Sequence, residues 1–367
     1  MHIVIDARIR RASTGRYTDR LLEHLQIIDT ENTYTVLVQP DDEWQPAARN
    51  FTSVGCKYKQ FSFNPLDQIG FSWQIHNLNP DLVHFTMTQQ PLFYFGNIVT
   101  TTHDLTMLRF VRAGKLPAWL HTIRMAAYRM LFLVAHKKSE RIIVPTNFVK
   151  DALAKYQPFT KDKITVTYES SEPPLEAAAK QPSGIEKPFI MHVGSPFPHK
   201  NIDRLIKAFE IVNSSQHELN LVLVGKKEFY FKELEAASAT SPAIKSIHFT
   251  GFVSDQELKW LYQNAECYVL PSLSEGFGLP GLEAMAHGCP VVSSNATCLP
   301  EVYKDAALYF DPLDAKDMAN KIQAVIGDRE LSGELIAKGK GLLPAYSWRK
   351  MAEETLVVYN EVLHGKK

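Results

Sequence analysis

The chain has 367 residues, with 40 Lys and Arg against 40 Asp and Glu, a formal net charge of zero and 45% hydrophobic residues. That length exceeds one ordinary hydrophobic core and implies two domains, and the neutral balance removes any global electrostatic reason for a nucleic-acid partner. Cys56, Cys267, Cys289 and Cys298 are scattered without a C-x-x-C pair, which argues against a disulfide framework or zinc site and fits a reducing cytosol.

The N-terminus runs straight into His2–Asp6, so a strand rather than a cleaved leader is expected. Arg8 to Thr14 follow, then Gly15-Arg16-Tyr17-Thr18. A loop entering a helix at Gly15 lets a backbone approach a donor or acceptor, and it serves equally as a plain helix-entry turn. Further strand candidates are Tyr34–Val38, Lys57–Phe61, Leu82–Phe85, Ile98–Thr102, Arg141–Val144 and Ile164–Tyr168. Helical patterns occupy Tyr17–Ile28, Asp67–Leu78 and Trp119–Ala135. His103 and Asp104 end an apolar strand, at the rim where an α/β sheet keeps its chemistry, with Asp104 able either to orient the imidazole or to cap the next segment.

Residues 1–170 carry an excess of about five positive charges, matched by a negative excess in the remainder. Arg109, Arg112, Lys115, Arg124, Arg129, Lys137 and Lys138 interleave with Phe110, Trp119, Met125, Leu131 and Phe132. Such a segment either packs one face on the core and solvates its basic side, or lies on an anionic membrane surface. His121, Arg124 and Arg129 break the stretch Leu116 to His136, so a spanning helix is not expected.

Between Glu169 and Lys187, Ser-Ser-Glu-Pro-Pro and Gln-Pro-Ser-Gly mark a boundary. The second half repeats the rhythm with Phe189–Val193, Leu219–Val224, Ile247–Phe249, Cys267–Leu270, Pro290–Ser293 and Ala307–Phe310. Near-continuous apolar strands alternating with helices argue parallel sheets covered on both faces. The expected architecture is two Rossmann-like doubly wound α/β domains, 1–170 and 171–347, facing across a cleft. A last helix, Trp348 to Leu363 in segment 348–367, is free to pack back on the first domain.

Two loops of the second half carry the chemistry. After strand Phe189–Val193 comes Gly194-Ser195-Pro196-Phe197-Pro198-His199-Lys200, a small-residue loop that points amides at an anion while Lys200 adds a point charge for a diphosphate. His199 is only partly protonated near neutral pH, which makes that clamp pH-sensitive. After Cys267–Leu270 comes Ser272-Leu-Ser-Glu-Gly-Phe-Gly-Leu-Pro-Gly-Leu-Glu-Ala-Met-Ala, with a helix expected over Leu279 to Ala286. Gly278 and Leu279 supply free N-terminal amides, and Pro280 suits the first turn because its missing N–H is not needed there. Glu275 in the loop and Glu283 one turn into the helix are carboxylates able to accept two hydrogen bonds from a vicinal diol. The plain alternative is a solvated loop residue and a helix-dipole partner.

Glu275 to Glu283 closely resembles the E-x7-E signature of family 4 glycosyltransferases, retaining enzymes of the GT-B fold. The resemblance continues through Gly288-Cys289-Pro290-Val291-Val292, Leu299-Pro300-Glu301-Val302 and, upstream, Thr250-Gly251-Phe252-Val253-Ser254-Asp255. It implies that Glu283 binds the ribose hydroxyls and Glu275 a hydroxyl of the donor hexose. Amides at Phe277, Gly278 and Leu279 would hold the donor, the Gly251–Val253 loop would meet the base, and His103 would contact the donor sugar. Gly15 would lie in a loop that meets both substrates. Where this chain has His199 beside Lys200, the family often has an arginine nearby.

The whole pattern resembles bacterial mannosyltransferases that build surface glycans, which makes GDP-mannose the expected donor and a saccharide or lipid-linked glycan the expected acceptor. A UDP-sugar transferase is the alternative on the same scaffold, followed by a sugar-nucleotide epimerase or a non-catalytic sugar-binding protein. No Asp-x-Asp occurs, so a metal-bound diphosphate is not expected, and neither is any other cofactor. A dinucleotide-dependent dehydrogenase is excluded because no G-x-G-x-x-G follows the first strand of either half. The expected location is cytoplasmic, at the inner face of the membrane if the basic segment binds lipid.

Overall fold

A computed structural model describes residues 1–12, 14–58, 62, 64–110, 118–172, 178–215 and 218–365, with the backbone alone at residue 118. The chain divides into two compact units, Met1–Glu169 with Ser347–Lys367, and Ser170–Tyr346. In the second unit Ser170 Oγ donates to Tyr346 O at 3.1 Å, pinning the points where the chain arrives and departs.

The first unit runs β1 (His2–Asp6), α1 (Gly15–Ile28), β2 (Thr33–Val38), β3 (Phe51–Gly55), α2 (Pro65–Asn77), β4 (Leu82–Phe85), β5 (Ile98–Thr101), α3 (Thr106–Arg109), α4 (Ala118–Lys138), β6 (Arg141–Val144), α5 (Asn147–Tyr156) and β7 (Ile164–Val166). The strands pair in parallel in the order β3-β2-β1-β4-β5-β6-β7. Val4 lies beside Val83 and Val83 beside Ile98, an apolar row on which α2 packs through Phe71 and Ile75. Tyr128 and Phe132 of α4 join Ile142 and Val144 in a second cluster. On the opposite face Tyr17 Oη meets Thr101 Oγ1 at 3.1 Å, and His84 bridges Thr101 Oγ1 at 2.8 Å to Tyr359 Oη at 2.6 Å. Tyr359 belongs to the last helix of the chain, which packs against α1 as part of this unit.

The strand expected at Lys57–Phe61 is instead β3 at Phe51–Gly55. Lys57 and Tyr58 carry no strand pairing, and residues 59–61 lie outside the described residues. β3 is the sheet's edge, where Phe51 is buried while Thr52 and Gly55 are exposed, so it lacks the apolar run of a central strand. The Tyr58 carbonyl instead accepts from Arg8 Nη1 at 2.9 Å. Arg8 clasps Asp6 through Nε–Oδ1 at 2.8 Å and Nη2–Oδ2 at 2.7 Å, a buried two-point pair at the carboxyl end of β1.

The second unit runs β8 (Phe189–Val193), α6 (Ile202–Ser215), β9 (Asn220–Val224), α7 (Phe229–Ser238), β10 (Ile247–Gly251), α8 (Asp255–Asn264), β11 (Cys267–Leu270), α9 (Leu279–Ala286), β12 (Val291–Ser294), α10 (Leu299–Tyr303), β13 (Ala307–Phe310), α11 (Ala315–Gly327) and α12 (Arg329–Leu342). Its parallel sheet has the order β10-β9-β8-β11-β12-β13. One apolar cluster runs from Ile190 and Phe209 to Leu223, Val269 and Ile322, so the sheet is covered by α6 and α11. The final helix, α13 (Trp348–His364), returns to the first unit.

Each sheet reverses its winding beside its first strand, between β1 and β4 in one unit and between β8 and β11 in the other. Doubly wound sheets bind ligands at the carboxyl ends of strands on either side of such a switch. In the second unit the loops concerned are 194–200 and 271–278. Among the described residues no helix is long and apolar enough to cross a membrane.

Candidate functional site

The loops after β8 and β11 meet through two side chains. Lys200 Nζ donates to Glu275 Oε1 at 2.7 Å, and Ser272 Oγ donates to the same oxygen at 2.6 Å. Burial alone would raise the Glu275 carboxyl. The charge and hydrogen bond of Lys200, the Ser272 hydroxyl and nearby His199 outweigh it and hold the group below the usual carboxylate range. The backbone joins the loops as well, since Leu273 N donates to His199 O at 2.7 Å. Glu275 N donates to Thr297 Oγ1 at 3.1 Å, and Thr297 holds a φ of +57°. A β-branched residue in the left-handed region stores about 1–3 kcal/mol, a cost that clusters at functional sites.

His199 is buried and stacks on Phe197 at 5.9 Å. Gly194 and Ser195 lead the same loop, where Phe197 N donates to Ser195 O at 2.8 Å. Beneath them His192 Nδ1 lies 2.9 Å from Val269 O, which places the ring proton on Nδ1. Burial pushes this imidazole down to about 4, so it stays neutral.

Gly278 precedes α9 with φ +93°, and no side chain caps that helix. The loop is closely packed from below. A Cβ on Gly278 would lie 2.5 Å from Tyr303 Oη and one on Gly281 2.3 Å from it, while that hydroxyl donates to Gly278 O. Glycine here lets the backbone rest on a buried phenol and leaves the Leu279 amide at the mouth of the helix; Pro280 has no N–H, and Gly281 N donates to Gly278 O at 3.2 Å. Phe277 is buried edge-on to Tyr346 at 5.5 Å, so its ring is taken up in packing. Glu283 is nearly buried in α9, where Tyr262 Oη donates to its Oε2 at 3.3 Å and His287 stacks on Tyr262 at 5.3 Å. Val253 is half-buried between Gly251 and the capping box Ser254–Glu257 that opens α8; its neighbour Phe252 is 77% exposed.

His103 and Gly15 belong to the first unit. A Cβ on Gly15 would fall 1.9 Å from Arg10 O, so the space this glycine leaves is taken by the chain's own helix-entry turn. Asp104 caps, with Oδ1 accepting from Thr106 N at 2.7 Å. The imidazole of His103 is held instead by Glu169 and by the Thr86 carbonyl. Residue-by-residue reading did not single out Ser272, Thr297, Tyr262, Tyr303 or Glu169. Only Ser272 stood within reach of the motif.

In α4, Tyr128, Phe132 and Ala135 face the core, while Trp119, Ile123, Met130 and Leu133 are exposed beside Arg124, Arg129 and Lys137. Lys138 does not join that basic side. Its ammonium turns inward to Pro91 O at 2.5 Å and Tyr94 O at 2.9 Å, and burial lowers it to about 8. Arg112 and Lys115 lie outside the described residues.

The family profile of Glycosyltransferase Family 4 matches residues 14–169, and that of Glycosyl transferases group 1 matches residues 176–341. The O-antigen chain mannosyltransferase RfbU of Salmonella typhimurium is 30% identical over 64% of this chain and 67% of its own length. The O-antigen chain mannosyltransferase B of Escherichia coli is 33% identical over 47% of this chain and 45% of its own. The fold is that of sucrose-phosphate synthase from Thermosynechococcus elongatus, with a TM-score of 0.79 at 17% identity over the full length of both chains. Two doubly wound parallel-sheet domains, the E-x7-E loop at the switch point of the second, and profiles that together span nearly the whole chain lead to one assignment: the protein is an enzyme of the group 1, family 4 glycosyltransferases, with the GT-B fold.

Proposed function

We propose that the protein moves a mannosyl residue from GDP-mannose, with retention of configuration, to a saccharide or lipid-linked glycan acceptor in surface-polysaccharide synthesis. The observation that carries the reading is the Lys200–Glu275–Ser272 cluster at the switch point of a chain whose relatives bear the name mannosyltransferase.

In this reading Glu283, with its carboxylate held by Tyr262, takes the ribose diol, and Glu275 a hydroxyl of the sugar being moved. Lys200, the Gly194–Ser195 loop and His199 carry the diphosphate, together with amides from Phe277 to Leu279. Val253 meets the base, and His103 and Gly15 lie on the acceptor-side domain. The incoming hydroxyl attacks from the face the nucleotide leaves, and the departing phosphate takes its proton. Glu275 is already ion-paired below its ordinary titration range, which suits a positioning carboxylate better than a proton carrier. Charge on the leaving group falls on Lys200 and fixed amides, a preorganised role that needs no metal. The exposed apolar and cationic side of α4 would rest on the inner face of an anionic membrane.

A thermal-shift panel with GDP, UDP and ADP, on wild type and Glu283→Ala, tests the donor. A ligand that binds the native state raises apparent stability by mass action. GDP is expected to stabilise wild type and to lose most of that effect in the variant. A shift with UDP and none with saturating GDP overturns the GDP-mannose reading.

A further inference from the structure

His103 lies two residues beyond β5 with both ring nitrogens engaged. Nε2 lies 3.0 Å from Thr86 O and Nδ1 3.3 Å from Glu169 Oε1. A carbonyl and a carboxylate are both acceptors, and a neutral imidazole has a single N–H. Only the imidazolium donates to both. The pair is shielded from water, with 13% of the His103 side chain and 8% of the Glu169 side chain exposed.

Four elements bring groups to this ring. From α1, Tyr17 presents an edge at 4.9 Å, and burial keeps its phenol un-ionised. From β4 and the residue after it come His84 and the Thr86 carbonyl; the His84 ring stays neutral because burial pushes it down to about 3. Asp104 follows in sequence, and Glu169 arrives after β7. Burial alone would lower the His103 pKa. The Glu169 bond and charge, the Thr86 carbonyl and Asp104 outweigh it, and the net shift is upward.

We propose that Glu169 is a positioning residue for the transfer reaction, fixing the His103 ring and holding it in the doubly protonated form. The proposal rests on the reading of His103 as a contact to the donor sugar. A ring so held cannot accept a proton. It supplies positive charge and an N–H that a substrate oxygen can share while the carboxylate keeps the ring in place. Glu169 is also the last residue of the first unit, directly before Ser170 begins the second, so the histidine is tethered to the point where the chain changes units.

The test uses the full chain with Glu169→Gln, which removes the charge and keeps the shape, and Glu169→Asp as the conservative control. Nitrogen-15 NMR of the His103 ring at pH 7.5 needs no substrate. The wild-type ring is expected to be an imidazolium, the Gln variant neutral, and the Asp variant protonated. Hydrolysis of GDP-mannose is expected to fall about tenfold in kcat for Glu169→Gln at pH 7.5, less at pH 6, with little change in KM, and to recover in Glu169→Asp. A neutral wild-type ring, or a Gln variant with wild-type NMR and pH profile, overturns the proposal while leaving the His103 reading intact. Wild-type hydrolysis by His103→Ala overturns that reading and the proposal with it.

Discussion

Lys200 Nζ and Glu275 Oε1 meet at 2.7 Å although 75 residues separate them in the chain. Their contact bridges the loops after β8 and β11, across the strands where the second sheet changes winding. The cation that the proposed function assigns to a diphosphate and the anion it assigns to a sugar hydroxyl thus hold each other in place. Each substitution at one is felt by the other.

Glu275→Gln keeps an acceptor for Ser272 and Lys200 but removes the charge. Turnover of GDP-mannose is expected to fall by about 10²–10³. GDP should still raise the melting temperature nearly as in wild type. Lost nucleotide binding with unchanged turnover at saturation would refute the assigned role.

Lys200→Met leaves a carboxylate nearly buried without its cation. The expected cost is about 2–3 kcal/mol of stability at pH 7, read from urea unfolding of the second unit. Because pairing lowers the folded pKa of Glu275, the stability it confers is present above the unfolded value and lost as pH falls through the folded one. Wild type and variant should therefore converge in acid. The double variant with Glu275→Gln should recover part of the loss, since neither charge is then stranded.

Gly281→Ala drives a methyl into Tyr303, which is fully buried and tied to Gly278 O. The expected loss is about 1–3 kcal/mol, together with weakened nucleotide binding. Gly333 in α12 is the control, because a Cβ there meets nothing within 4 Å. Gly333→Ala should be neutral or stabilise by up to about 1 kcal/mol. Equal melting temperatures for the two variants would contradict the packing described.

Acid should destabilise the protein between about pH 6.5 and 4. Burial lowers His84 to about 3 and His136 and His192 to about 4, against an ordinary histidine value of about 6.5. In that window the unfolded chain binds protons that the folded one refuses, so stability rises with pH, by on the order of 1–3 kcal/mol per histidine. His103 works in the opposite sense, its contribution being full below the unfolded value and lost as pH rises through its raised folded one. Melting temperature measured across pH 4 to 8 checks the slope, and His192→Gln should flatten it.

Glu275, Glu283 and the helix between the glycine loop and His287 were legible because the motif is local: a glycine turn runs straight into a proline-started helix. Their supports were not. Lys200 could be named as a cation in the right loop, but nothing in the sequence pairs it with a carboxylate 75 positions on. Thr297 gives no sign of its left-handed backbone. Glu169 sits beside a run rich in serine and proline that reads as a linker, and only the fold brings it to His103. The edge strand β3 escaped because pairing with β2, rather than an apolar pattern, defines it. Lys138 looked like one more solvated cation, since the carbonyls that capture it come from a loop more than 40 residues earlier.

The return of α13 to the first unit sets an order of events during synthesis. The chain leaves that unit at Glu169 and comes back only at Ser347, so the second unit is complete on the nascent chain while the first still lacks its closing helix. Until α13 emerges, His84 has no Tyr359 to bond, and α1 lacks the helix that packs against it. The later-translated unit can thus mature before the earlier one, reversing the usual order of domain folding on the ribosome. A premature stop near Ser347 would spare the sheet of the second unit and cripple the sheet that was made first.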